Sequence, residues 1–168
     1  MIKFCLKKWE QNKGLLEKEL RTRTDLNTCD YDLLVKLVVH NIFNDGETEN
    51  HYDFGGAKYD PEKITEIDNG DYQGTLLFLI PSNNYQPSES EYLMTYVGYG
   101  SCCGCDTLQG IQDWGETVLT ENQVKDFMDL CRGIVQNTIK PYNHGWRWDD
   151  EFDPVEEDNV RKENPDAT

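Results

Sequence analysis

The chain has 168 residues and a mass of 19.5 kDa, enough for one domain with a buried core and short for two. Its 32 Asp and Glu against 16 Lys and Arg give a formal net charge of −16, which disfavours direct binding to nucleic acid. Apolar residues make up 37% and aromatics 11%, too many for a wholly disordered acidic chain, and no apolar run approaches the roughly 20 residues of a membrane span.

The start, Met1-Ile2-Lys3-Phe4-Cys5-Leu6-Lys7-Lys8, lacks an apolar signal core and a small-residue cleavage site, which argues against secretion. Residues 2–21 read as a helix, with Ile2, Leu6, Trp9, Leu16 and Leu20 as its apolar stripe and Gly14 as a weak point. Asp30 is a candidate N-cap for a second helix with the stripe Leu33, Leu34, Leu37, Val38 and Ile42, stopped by Asn44-Asp45-Gly46. Residues 44–62 read as a polar loop, and residues 63–67 alternate apolar and polar as a half-buried strand does.

Asp68-Asn69-Gly70-Asp71 predicts a tight primed hairpin turn, because Asn-Gly accepts positive φ. A strand over 72–80 follows. Its run Leu76-Leu77-Phe78-Leu79-Ile80 lacks polar alternation, so it should lie centrally, covered on both faces, or carry its second face into an interface. Residues 92–99, rich in Tyr, Val and Thr, read as a third strand. Asp106 can cap a short helix. Thr120-Glu121-Asn122-Gln123 is a capping box opening a helix with the stripe Val124, Phe127, Met128, Cys131, Ile134, Val135 and Ile139, ended by Pro141. The expected architecture is α+β in one domain over 1–148. It has two N-terminal helices, a three-stranded antiparallel sheet and a long C-terminal helix packed on that sheet. Residues 149–168 are expected to form a mobile acidic tail.

The charge is uneven. Residues 1–40 carry eight basic and six acidic side chains, a net of +2, whereas residues 41–119 carry 14 acids against Lys58 and Lys63, a net of −12. Residues 146–168 carry nine acids against Arg147, Arg161 and Lys162, a net of −6. Such a field repels phosphate, attracts basic surfaces and keeps the chain soluble. Glu47, Glu49, Asp53, Asp60 and Glu62 do not follow a calcium-loop pattern and read as a solvated loop, and Asp68 and Asp71 flank the turn. Tyr142, Trp146, Trp148 and Phe152 interleave with acids. They can clamp the tail onto the body, or serve as aromatic anchors for a basic protein.

The six cysteines are Cys5, Cys29, Cys102, Cys103, Cys105 and Cys131. Cys5 and Cys131 lie on or beside helical stripes and read as small buried hydrophobes. The dense stretch Gly98-Tyr99-Gly100-Ser101-Cys102-Cys103-Gly104-Cys105-Asp106 has three readings. Cys102 and Cys105 have C-x-x-C spacing, which suits zinc, but no second pair or nearby histidine completes a site; His40, His51 and His144 are scattered. A reactive or disulfide-forming thiol pair is the second reading, with Cys105 just before a helix start. The third, which we favour from sequence, is a structural turn whose glycines bend the chain and whose thiols fill tight space. The glycines match neither a dinucleotide nor a nucleoside-triphosphate loop.

Four segments resemble a group of small bacteriophage-encoded proteins with a Tyr-Gly-Ser-Cys-x-Gly-Cys-Asp-Thr-Leu-Gln motif. They are Tyr72-Gln73-Gly74-Thr75-Leu76-Leu77-Phe78, Tyr85-Gln86-Pro87, the run from Tyr99 through Ser101-Cys102-Cys103-Gly104-Cys105 to Asp106-Thr107-Leu108-Gln109, and Lys140-Pro141-Tyr142-Asn143. The resemblance covers about residues 30–150 and brings no site residues with it. It implies a phage accessory protein in the host bacterial cytoplasm, where reducing conditions keep thiols free.

The resulting expectation is a non-enzymatic acidic protein that binds and inhibits a basic host protein. The expected target is a nucleic-acid-binding defence factor such as a CRISPR nuclease, whose groove carboxylates can occupy in place of phosphates. No cofactor, direct nucleic-acid contact or membrane contact is expected. The partner-binding candidates are Glu47, Glu49, Asp53, Asp60, Glu62, Asp68, Asp71, Trp146, Trp148, Asp149, Asp150, Glu151, Asp153, Glu156 and Glu157. The alternatives are a thiol- or zinc-dependent protein centred on Cys102 and Cys105, and a phage structural or assembly protein using an apolar face left by residues 76–80.

Overall fold

The computed structural model describes residues 1–48, 50–51, 55–56 and 58–140. Among these residues, four α-helices and five strands run in the order α1 (Ile2–Thr22), α2 (Tyr31–Val38), β1 (Asn50–His51), β2 (Gly55–Gly56), β3 (Thr65–Asp68), β4 (Gly74–Pro81), β5 (Tyr92–Tyr99), α3 (Thr107–Ile111) and α4 (Glu121–Gln136). β1 and β2 form a two-residue antiparallel ladder, and β3-β4-β5 form an antiparallel meander. This is the expected α+β class: helices, a three-stranded antiparallel sheet, then a helix against it. The expected tail, 149–168, lies outside the described residues.

The buried stripe of α1 is Cys5, Trp9, Asn12, Leu16 and Leu20, at helical steps. It is rotated from the expected one, since Ile2 is 77% and Leu6 50% exposed. The rotation is set by Asn12, a polar residue that hydropathy places outside. Its Nδ2 donates to the Ile42 carbonyl at 2.9 Å and to Asp45 Oδ1 at 2.6 Å, so the polar group is buried with partners. Asp30 caps α2 by accepting from the Leu33 N–H. The chain continues in π geometry over Val39–Phe43 and stops where Asp45 and Gly46 take φ of 55° and 76°.

The turn after β3 departs from expectation. Residues 69–73 connect the strands, and neither Asn69 nor Gly70 has positive φ. Asp68 accepts from the Gly70 N–H at 2.9 Å and Asn69 from the Thr75 N–H at 2.8 Å, so side chains and not a primed turn close the hairpin. Gly70 is needed for close approach: a Cβ there would sit 2.2 Å from the Gln73 carbonyl oxygen.

β4 is central, with Leu77 facing Tyr96 and Leu79 facing Met94 on one side, and Phe78 facing Thr95 on the other. Phe78, Ile80, Leu93 and Val97 are buried toward the helices. α4 packs on that face with Val124, Phe127, Cys131, Ile134 and Val135, and Thr95 Oγ1 donates to the Ile134 carbonyl at 2.8 Å. The capping box is present as expected: Thr120 accepts from the Gln123 N–H, and Gln123 accepts from the Thr120 N–H. α4 ends at Gln136, short of Pro141, and Ile139 leaves the helical stripe to bridge Met94 at the β5 edge. Among the described residues, no helix is long and apolar enough to cross a membrane.

Candidate functional site

Two surfaces carry chemistry. The first is acidic and lies where the start of α2 meets the 3-10 turn Pro61–Lys63 and the edge strand β3. β3 is exposed along its whole length, and no third described strand pairs with its outer edge. Glu66 lies on the helix-facing side of β3. Its carboxyl is pushed above the usual carboxylate range, first by partial burial and then by Asp32, Asp30 and Asp68. Lys36 stands among these acids. Its ammonium pairs with Asp32 at 2.9 Å and feels Glu62 and Asp30. Asp68 is held below the usual range by the Tyr99 hydroxyl, at 2.7 Å, and the Gly70 N–H.

Of the sequence candidates, Glu62 and Asp68 join this cluster, and Asp71 acts on the same Tyr99 hydroxyl. Asp60 accepts from the Glu62 N–H and pairs with Lys63 at 3.3 Å, so it is partly spent on the 3-10 turn. Glu47 is exposed beyond the end of α2. Glu49, Asp53, Trp146, Trp148, Asp149, Asp150, Glu151, Asp153, Glu156 and Glu157 lie outside the described residues. Sequence reasoning missed Asp30, Asp32 and Glu66, because the first was absorbed as a helix cap and their meeting depends on α2 packing beside β3.

Beside this cluster the sheet shows its other face. Ile67 is 45%, Tyr96 49% and Ile139 51% exposed, and Leu77, Leu79 and Met94 are half-buried beside them. The run 76–80 is therefore covered on one face and open on the other.

The second surface is the loop between β5 and α3. Asp106 is buried at its base. Asp106 Oδ2 accepts from the Gly100 N–H at 2.9 Å, and Oδ1 accepts from the Gln109 N–H at 2.9 Å and the Tyr31 hydroxyl at 3.2 Å. The carboxylate ties the start of the loop, the start of α3 and the start of α2 together. Gly100 passes so close to Cys105 that a Cβ would sit 2.5 Å from its carbonyl oxygen. The turn is closed by the Cys105 and Asp106 N–H groups donating to the Cys102 carbonyl at 3.0 and 2.9 Å.

That scaffold does not bury the thiols. Cys102, Cys103 and Cys105 are all exposed and free, which corrects the expectation that they fill tight space. Gly100 allows the close backbone approach, but Gly98 and Gly104 have neither positive φ nor a Cβ clash, and the thiol side chains turn outward above the buried Asp106. Cys102 and Cys105 Sγ lie 2.9 Å apart, closer than non-bonded sulfurs ordinarily approach and beyond the roughly 2.05 Å of a formed bond. Cys105 Sγ is 3.2 Å from the Cys102 N–H and 3.9 Å from Ser101 Oγ. Hydrogen bonds from the Cys102 thiol, and then from neighbouring backbone and Ser101, lower the Cys105 thiol below its ordinary value. The other thiols go the opposite way: burial pushes Cys131 up to about 12, and burial with Asp30 and Asp25 pushes Cys29 up to about 11. No third His, Cys, Asp or Glu joins the pair as a metal-ligating group among the described residues.

In comparisons with known proteins, no family model, no curated protein and no solved structure matches this chain.

Proposed function

We propose that this chain is a binding protein that docks a basic partner along the β3 edge. The observation that carries this reading is the convergence of Asp30, Asp32, Glu62, Glu66 and Asp68 beside an open strand edge, with Lys36 the cation set among them. Like charges gathered this way destabilise one another in the free chain, and a cationic surface relieves that repulsion. Ile67, Leu77 and Tyr96 on the adjoining open face supply apolar area that can be buried next to the charges. A surface of this chemistry fits a groove built to hold phosphates. The partner class is therefore a nucleic-acid-binding host protein, a defence nuclease in the phage setting that the cysteine-motif resemblance implies.

The tagged full chain should capture a basic protein from bacterial lysate at low salt and release it as salt rises to about 0.5 M, because exposed charges are screened over a few ångströms there. The captured protein should lose its nucleic-acid binding as the chain is titrated in. A Glu62→Gln, Glu66→Gln, Asp71→Asn variant should capture severalfold less. Undiminished capture by that variant, or a complex indifferent to salt, would sink the electrostatic reading.

A further inference from the structure

We propose that Cys102 and Cys105 form a dithiol–disulfide exchange site, with Cys105 attacking a substrate disulfide and Cys102 resolving the intermediate. The site is separate from the acidic docking edge and does not depend on it. Four observations support it. The two sulfurs are exposed and 2.9 Å apart. The Cys102 N–H donates to Cys105 Sγ at 3.2 Å, where it stabilises a thiolate, and Ser101 Oγ lies 3.9 Å from the same sulfur. The loop is built for this arrangement, since Asp106 pins its base through three donors and Gly100 permits the close backbone approach. The three remaining cysteines outside the loop are withdrawn: Cys5 and Cys131 are buried and Cys29 is half-buried.

The chemistry balances without any other group. Cys105 thiolate attacks one sulfur of R–S–S–R′. A Cys105–S–R bond forms, the S–S bond breaks, and R′–S⁻ leaves. Cys102 gives up its proton and attacks Cys105 Sγ. The intramolecular disulfide forms and R–S⁻ leaves. Two electrons pass from the dithiol to the substrate, and the two thiol protons end on the two leaving thiolates. A small-molecule dithiol in excess returns the pair to its reduced state by the reverse exchange.

The charge of the chain selects among disulfides. With a formal net charge of −16 and acids on the adjoining elements, an anionic disulfide is repelled and a cationic one is drawn in. The reduced full chain is therefore reacted at low salt with cystamine, which is cationic, with hydroxyethyl disulfide, which is neutral, and with glutathione disulfide, which is anionic. Peptide mapping by mass spectrometry should find Cys102 linked to Cys105, with rates falling in that order and converging at high salt. Cys102→Ser should stall as a mixed disulfide on Cys105. Cys105→Ser should react at least about tenfold more slowly than the unaltered chain, because the stabilised thiolate is lost. Cys103→Ser should react as the unaltered chain does. The proposal fails if the bond formed involves Cys103, if Cys105→Ser reacts as fast as the unaltered chain, or if Cys102→Ser accumulates no mixed disulfide. Circular dichroism of each variant confirms that the fold is retained. Failure of these reactions would leave capture of a basic partner untouched, so the two readings fall separately.

Discussion

Asp106 serves as helix cap, loop anchor and inter-element tie with one carboxylate. Each oxygen is committed: Oδ2 to Gly100, Oδ1 to Gln109 and Tyr31. Replacing it by Asn turns one oxygen into an N–H₂ facing donors. Asp106→Asn is expected to destabilise the chain by about 2 kcal/mol, the cost of a buried donor left unmatched, read as a lower urea midpoint. The same variant should slow alkylation of Cys105 at neutral pH, because the loop that holds donors on its sulfur loses its base. Gly100 belongs to the same unit. Gly100→Ala drives a methyl to 2.5 Å from the Cys105 carbonyl oxygen and should cost about 1–3 kcal/mol, as overpacking does. If Gly100→Ala keeps both the urea midpoint and the Cys105 reactivity, the loop is less constrained than its contacts indicate.

At the scale of elements, α4 is held from both ends. Its N-terminus is closed by the Thr120–Gln123 box, and Gln123 also donates to Asn27 Oδ1 at 2.9 Å and to the Ile111 carbonyl at 3.0 Å. Its C-terminus turns into the Ile139–Met94 bridge on β5. Thr120→Ala should cost about 1 kcal/mol by chemical denaturation, typical of a lost N-cap. Gln123→Ala should cost more, because the donor side leaves Asn27 and the Ile111 carbonyl without it; a smaller loss than for Thr120→Ala would show that those contacts are replaced by water. The sheet behaves as half a sandwich, with β4 buried toward the helices through Phe78 and Ile80 and open through Leu77 and Leu79.

For the whole molecule, pH acts through thiols and carboxylates in opposite windows. Cys131 and Cys29 are neutral in the fold, held up to about 12 and about 11 by burial, while an unfolded thiol ionises near 9.0. Their contribution is complete below that unfolded value and is lost as pH rises through the raised ones, since the unfolded chain then sheds protons that the fold retains. Urea midpoints should therefore fall from about pH 9 upward. Cys131→Ala should flatten that fall while lowering stability at neutral pH through lost packing. A midpoint unchanged between pH 8 and pH 11 would contradict the burial of both thiols. Asp25, held low chiefly by the Arg23 guanidinium, acts in acid: its contribution is present above the unfolded carboxylate value and disappears as pH falls through the lowered one.

What the sequence by itself determined was the order and kind of the larger elements, the Asp30 and Thr120 caps, the α+β class and the excess of negative charge. Those properties are local or additive: a capping oxygen bonds within its own turn, periodicity declares a helix or strand, and charge sums without a fold. Only the tertiary structure decided the rest. It rotated the α1 stripe because Asn12 found its partners on the segment after α2. It closed the hairpin through Asp68 and Asn69, and not by positive φ. It brought Asp30 and Asp32 to Glu66, and it turned Cys102 and Cys105 outward above a buried Asp106. In each case the deciding contact joins residues that no local pattern relates, and its energy exists only once packing has fixed the distance between them.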